Sequence, residues 1–422
     1  MPLDDAGRSH LLKIRGPGET PAEKGMFAEW EWIEGKNIPP REWLFGRYLQ
    51  RGILSVTVAP GGLGKTTLGV AETISLGSGK RLFGEWQADP YAPEHKGMNV
   101  ALWNLEDPFD ELDRKIVAAC KHHGVTIDDL AQGTDSLPLF VNSGLDMPLL
   151  SAAQDLKGFI NENVFRQMED AIRSLSIDVV IIDPFVSSHD LSENDNVQID
   201  RLAKRWAKLA YTCNCAVSLV HHTRKGQDGQ MTEESSRGAK ALTDAARVVR
   251  VLQPMSEHEG QEAGLDEGQH RRFFRILGAK QNLSAPGKDQ VWRQIVSVPL
   301  GNGDEVGVAE AWAWPDTLQG VEADDLRAIQ LAAKGRCFGE SSQAADWLGC
   351  LVADTLSLDR KTHRRRIAKM IDYWCTVGAF ERFSEYDKRA GRDRPMLRVG
   401  MINPPSTTPK NWGVETCGGE DV

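Results

Sequence analysis

Short, wholly apolar runs alternate along the chain with longer stretches whose apolar residues recur every three to four positions. The short runs are Ile53–Val58, Met98–Leu105, Pro138–Val141, Val179–Ile182 and Ala216–Val220. Between them, Lys65–Leu76, Phe109–His122, Asn163–Leu175 and Gln198–Tyr211 have helical spacing; in the second of these the apolar positions are Leu112, Ile116 and Ala119. Strands apolar on both faces are covered on both faces, so the alternation predicts a parallel sheet between two layers of helix. After Arg247 the pattern changes. Val248–Leu252, Arg271–Ala279, Val291–Val298 and Val306–Trp314 read as consecutive strands, which predicts an antiparallel extension of the sheet.

The pattern also divides the chain. Residues 1–35 are polar and rich in Gly and Glu, as expected of a flexible arm. Ile38-Pro39-Pro40 then leads through Trp43-Leu44-Phe45-Gly46 into an α/β core spanning 36–316. Trp43 is read as a core anchor, with stacking on a nucleobase as the alternative. A break at Pro315–Gly320 precedes a helix-rich unit, 323–400, and 403–422, rich in Pro, Thr and Gly, is expected to be a mobile tail. Within the second unit, Gln343–Thr355 and Arg360–Val377 are expected helices. Phe380–Glu385 and Met396–Val399 form an expected hairpin, and Ile367, Met370, Ile371 and Trp374 are the inward stripe.

Composition narrows the partners. With 60 acidic and 50 basic residues the formal charge is −10, so nucleic acid can be held only by local clusters. No apolar run approaches the ~20 residues of a membrane span, and Met1–Gly18 shows no export signal. The 7 cysteines are scattered, with no C-x-x-C pair, so we expect a reducing cytoplasm, no zinc site and no membrane association.

The strongest local signal is Ala59-Pro60-Gly61-Gly62-Leu63-Gly64-Lys65-Thr66-Thr67, between an apolar strand and a helix. That is the context of a P-loop, whose backbone N–H groups surround the β- and γ-phosphates of ATP at the positive end of the helix. Lys65 would bring a cation to those phosphates and Thr66 a hydroxyl ligand to Mg²⁺. Ala59 stands where such loops usually have their first glycine, and would be strained if that position needed φ > 0. Asp183 follows Val179–Ile182, at the strand rim where α/β sheets bind ligands, and is the second expected Mg²⁺ ligand. Glu106, closing the strand through Leu105, is the expected base that polarises water. Asp107, ahead of Pro108, is expected to cap the next helix. His221 and His222 close the fourth helix-flanked strand, and strand alternation lets only one of them face the phosphates.

Together these residues resemble the RecA-fold ATPases, and most of all the plasmid RepA-type hexameric replicative helicases, relatives of the DnaB helicases. The likeness runs from about Pro39 to Trp314. It rests on Ala59–Thr67, Leu105-Glu106, Ile182-Asp183-Pro184, Val220–Gly226 and Arg237–Arg247. It implies a RecA-like core and ATP bound between subunits, with an arginine of one subunit reaching the γ-phosphate held by the next. Arg247 matches that arginine, Arg250 is a reserve, and Lys280 resembles a basic motif also sent across the contact. The arginine expected shortly after Lys280 is missing. The same likeness implies a homo-oligomeric ring, commonly of six, with single-stranded DNA in its channel.

Two places are basic enough to touch DNA. Arg224 and Lys225 open the loop after the fourth strand, which in RecA-fold motors faces the channel. Arg360, Lys361, Arg364, Arg365 and Lys369 crowd the last helix, and two helices with a charged hairpin resemble a winged-helix domain able to read duplex DNA. The leading expectation is an ATP-driven helicase or translocase of plasmid or phage DNA replication. The alternatives are a non-translocating ATPase switch that recruits partners to DNA, and a recombinase-like filament former.

Overall fold

A computed structural model of the chain describes residues 23–24, 26–28, 30, 32–83, 97–134, 136–146, 153–154, 159–192, 195–223, 240–283, 291–387 and 391–401. Arg224, Lys225 and Arg237 lie outside the described residues, as do nearly all of the N-terminal arm and the tail.

In chain order the main elements begin with a small hairpin, β1 (Trp43–Phe45) and β2 (Leu49–Gln50). Then come β3 (Leu54–Pro60), α1 (Lys65–Ser78), β4 (Val100–Asn104), α2 (Phe109–His123), α3 (Ile127–Ala131) and β5 (Leu139–Ser143). They continue with α4 (Glu162–Ser174), β6 (Val179–Asp183), α5 (Asn196–Cys213), β7 (Ala216–Thr223), β8 (Val248–Pro254) and α6 (Glu257–Glu262). Strands β9 (Phe273–Gln281), β10 (Val291–Pro299) and β11 (Glu305–Trp312) follow. The chain ends with α7 (Ala323–Ala333), β12 (Phe338–Gly339), α8 (Leu348–Thr355), α9 (Arg364–Thr376), β13 (Phe380–Asp387) and β14 (Arg392–Val399).

Nine strands form the central sheet, in the order β11-β10-β9-β8-β3-β7-β6-β4-β5. The pairs β8–β3, β3–β7, β7–β6, β6–β4 and β4–β5 are all parallel, and β9–β10 is antiparallel. One expectation is corrected here. Val248–Leu252 opens a parallel strand, not the antiparallel extension, because residues 240–245 are helical and return the chain to the end of the sheet where β3 begins. Val248 and Val249, neighbours that point to opposite faces, are both 2% exposed, the burial that a parallel position demands.

One face of the sheet carries Leu54, Val56, Val58, Val180, Ile182, Val217 and Leu219. It packs on Phe165 and Met168 of α4 and on Leu202, Trp206 and Leu209 of α5. Helix α1 contacts β4 and β5 and is buried over most of its length, Glu72 included. Trp43 is buried, as a core anchor should be, and burial pushes the thiol of Cys215 up to about 12. Among the described residues no helix is long and apolar enough to cross a membrane.

By contact density the chain divides into two units. The first comprises 1–251, 278–288 and 297–308, and the second 252–277, 289–296 and 309–422. In the second, α7, α8 and α9 enclose a core with a small sheet of order β12-β14-β13. Ile367, Met370, Ile371 and Trp374 are its buried stripe. Both expected helices start later than their sequence suggests. Residues 341–346 run through bends and turns, the N–H of Ala344 donating to the Ser341 carbonyl at 2.9 Å and that of Trp347 to the Ala344 carbonyl at 3.2 Å, so α8 begins only at Leu348. Asp359 takes the N–H groups of Lys361 and Thr362 in a turn, which leaves Arg360 and Lys361 ahead of α9.

Candidate active site

The P-loop sits at the C-terminal end of β3. Ala59 is inside that strand, fully buried and absent from the positive-φ residues, so the departure from glycine carries no strain. The left-handed positions fall on Gly62 (φ 75°) and Gly64 (φ 85°), where a side chain would be strained. Gly64 is the N-cap of α1, and the helix has no side-chain cap and no acid in its first turn. Its leading N–H groups are therefore left for an anion.

Lys65 is 7% exposed and its ammonium donates to the carbonyl of Pro60 at 2.9 Å. Burial holds it below the usual lysine value, against the upward pull of the Asp183 and Glu106 carboxylates. Lys65 and both acids thus share one electrostatic neighbourhood although they come from three segments of chain. Thr66 Oγ1 donates to Asp183 Oδ2 at 2.6 Å, while Asp183 Oδ1 is buried with no hydrogen-bond partner among the described residues. A hydroxyl beside a carboxylate with an open lone pair is a hard-oxygen donor set, and it fits Mg²⁺ completed by phosphate and water. No group of three or more His, Cys, Asp or Glu among the described residues could hold a metal by itself.

The two rim carboxylates separate cleanly. Asp107 Oδ2 accepts from Asn104 Nδ2 at 3.0 Å and from Lys115 Nζ at 2.5 Å, so it is committed. It does not cap α2 either: the N–H of Phe109 goes to Asp146 Oδ2 at 2.9 Å. Glu106 is exposed, and its carboxylate accepts no hydrogen bond among the described residues.

His222 has the phosphate side. It is in register with Ala59, and its Nε2 lies 3.9 Å from Asp183 Oδ1. His221 points to the opposite face, 6% exposed, with Nδ1 unpartnered. Burial pushes it down to about 4, helped by His222, His189 and Lys65, so it is neutral at pH 7. His189, missed in the sequence, is likewise buried and pushed down to about 4 by burial, against the pull of Asp190.

The three candidate trans-acting cations part company. Arg250 is 5% exposed; it grips Glu72 at 2.6 and 2.7 Å, donates to Thr57 Oγ1 at 2.9 Å and lies 3.7 Å over the Tyr48 ring. A guanidinium so enclosed reaches no other molecule, and the reserve assignment of Arg250 is withdrawn. Lys280 donates to the carbonyls of Thr243 and Asp244 at 3.0 and 2.9 Å, so its ammonium caps its own chain. Arg247 is exposed. It precedes β8 at the end of the sheet away from the P-loop, and its N–H donates to the carbonyl of Leu54, the first residue of β3.

In the second unit, Arg360 is paired with Asp354 at 2.6 Å. Arg364 donates to the Ser342 carbonyl, Arg365 to Gln261 Oε1 at 2.9 Å, and Lys369 to the Glu262 carbonyl at 3.2 Å. Lys361 stands in the turn before α9.

A family model described as an AAA domain matches residues 19–228, which include the P-loop, Glu106, Asp183, His221 and His222. The match and the geometry agree on a P-loop ATPase of the helicase- and recombinase-like kind, built on a mostly parallel α/β sheet.

Proposed function

We propose that this protein is an ATP-hydrolysing, ring-forming DNA helicase or translocase of RepA type, hexameric, acting in plasmid or phage DNA replication. The observation that carries the reading is the position of Arg247. Leu54 and Pro60 are the two ends of β3. At about 3.3 Å per residue that places Arg247 ~20 Å from the phosphate loop of its own chain. Such a gap exceeds the reach of its side chain, so Arg247 does not serve its own nucleotide and is free, in this reading, to serve that of another copy. A head-to-tail contact of that kind gives a ring where the rotation closes, the outcome this reading takes.

Within one site the roles follow from the geometry. The N–H groups of Gly62–Thr66 and the Lys65 ammonium bind the phosphates, and Lys65 must leave the Pro60 carbonyl to do so. Thr66 and Asp183 would hold Mg²⁺, which would supply charge neutralisation on the phosphate oxygens when bound. Glu106, unencumbered, orients water for in-line attack and takes its proton. His222, beside Asp183 near the end of β7, registers the γ-phosphate, and Arg224 and Lys225, which follow it in the sequence, would meet single-stranded DNA.

The C-terminal order helix, strand, helix, helix, strand, strand, with β14 central, resembles a winged helix, and α9 is its candidate for duplex DNA. Arg364, Arg365 and Lys369 donate to neutral oxygens, so their charges stay uncompensated and available to phosphates. Only Arg360 is neutralised, by Asp354.

The test is ATP turnover by the full chain with and without single-stranded DNA, alongside particle mass in ATP. Arg247→Ala should stop turnover, and mixing with Lys65→Ala subunits should restore part of it, since each supplies what the other lacks. Full turnover by a single-copy particle would end this reading.

A further inference from the structure

The turn that presents Glu106 is held by a side-chain network that no step above uses. We propose that Asn104 is the positioning residue for the Glu106 carboxylate, with Asp107 and Lys115 as its anchor. The proposal rests on the reading of Glu106 as the group that orients water.

Asn104 is the last residue of β4 and is 1% exposed. Its Oδ1 accepts two backbone N–H groups, from Glu106 at 2.9 Å and Asp107 at 2.8 Å, and so folds the chain into a turn as it leaves the sheet. Its Nδ2 donates to Asp107 Oδ2 at 3.0 Å, the oxygen that Lys115 of α2 also holds. The Asp107 carbonyl accepts from Ser143 Oγ at 2.8 Å, at the end of β5. On the other side of Glu106, the N–H of Leu105 donates to the Asp183 carbonyl at 2.8 Å. Both neighbours of Glu106 are therefore tied down, one to the strand bearing the metal ligand and the other to α2 and β5. Glu106 alone projects free.

This is the arrangement a general base needs: a carboxylate with open lone pairs on backbone that does not move. Asn104 is also in register with Asp183, so the same brace sets the spacing between the two acids. A side chain needed only for folding would affect stability and leave the chemical step alone. A positioning side chain changes kcat while nucleotide binding persists, because an ångström of misplacement in a reacting group costs about 100-fold.

The experiment uses the full chain with single-stranded DNA and measures kcat and KM for ATP separately, with binding of a fluorescent ATP analogue and the thermal midpoint. Asn104→Ala should lose about 10- to 100-fold in kcat with analogue binding retained. Asn104→Asp keeps the acceptor for both N–H groups but sets a carboxylate against that of Asp107, and should lose less. Adding Asp107→Asn to Asn104→Asp restores a donor opposite an acceptor, though at the cost of the oxygen that Lys115 holds, and should recover part of the lost kcat. Unchanged kcat in Asn104→Ala, with Glu106→Gln inactive, overturns the proposal and leaves Glu106 as the base. If Asn104→Ala does not fold, the exchange decides: no recovery in the double variant overturns the proposal. Normal turnover by Glu106→Gln removes the base assignment, and this inference with it.

Discussion

Arg250 of β8 and Glu72 of α1 form a buried ion pair between strand and helix, 5% and 3% exposed, with both carboxylate oxygens engaged at 2.6 and 2.7 Å. Thr57 Oγ1 takes the guanidinium Nε, and the Tyr48 ring covers its face. Arg250→Leu removes three hydrogen bonds donated by the charged guanidinium, two to Glu72 and one to Thr57, each worth about 1.5–3 kcal/mol, and leaves a carboxylate with no counter-charge. Broken pairs of this kind cost about 3–5 kcal/mol, much of it the penalty of the stranded charge. Removing Glu72 as well should return most of that loss, because replacing both members by apolar residues is close to neutral. Urea unfolding followed by circular dichroism measures each variant. If Arg250→Leu unfolds at the parental midpoint, or if Lys65→Ala subunits rescue its turnover, Arg250 is acting between copies and the burial argument fails.

Three further outcomes are expected. Thr66→Val removes the hydroxyl 2.6 Å from Asp183 and should raise the Mg²⁺ concentration needed for turnover by about tenfold or more; an unchanged Mg²⁺ titration would place the ion elsewhere. His189, held at about 4 by burial against about 6.5 unfolded, contributes stability that is full above the unfolded value. That contribution, on the order of 3 kcal/mol, is lost as the pH falls from about 6.5 toward 4. His189→Phe should flatten the fall of the urea midpoint across that window, and an unaltered slope would contradict the burial assignment. Arg365→Gln and Lys369→Gln should each lower the salt dependence of duplex DNA binding by about 0.9 in log–log slope, while slopes equal to the parent's would remove α9 from the contact.

The parallel strands were legible because an apolar run buried on both faces is local information. Direction is not, and Val248–Leu252 read the same whichever way it ran. Arg250 shows a signal that was present and passed over: a lone arginine in Val248-Val249-Arg250-Val251-Leu252 and a lone acid at Glu72 within a helix buried almost throughout. Charges embedded in two apolar segments imply each other. Ser256 and Glu259 spell a capping box that starts α6, again readable and unread. The N-cap assignment of Asp107 failed for a reason no local reading could supply, since its competitor, Asp146, arrives from the far side of β5. The two-residue β12 carries no periodicity at all.

The separation between Arg247 and the P-loop also limits how copies could associate. In a two-fold dimer one patch meets itself, so both the phosphate rim and the arginine rim would have to lie in the same contact. They lie at opposite ends of β3, about 20 Å apart along the strand direction. A two-fold pair could then join an arginine to a nucleotide only across a contact wide enough to hold both ends, and a smaller one would complete neither site. Head-to-tail contact has no such requirement, because each copy offers one rim and receives the other. That geometry leads to a ring if the rotation closes and a filament if it does not, and electron micrographs of the ATP-bound protein distinguish the two. A dimer of fixed mass that hydrolyses ATP at the full rate would contradict both, and would mean that the cation completing the site is not Arg247.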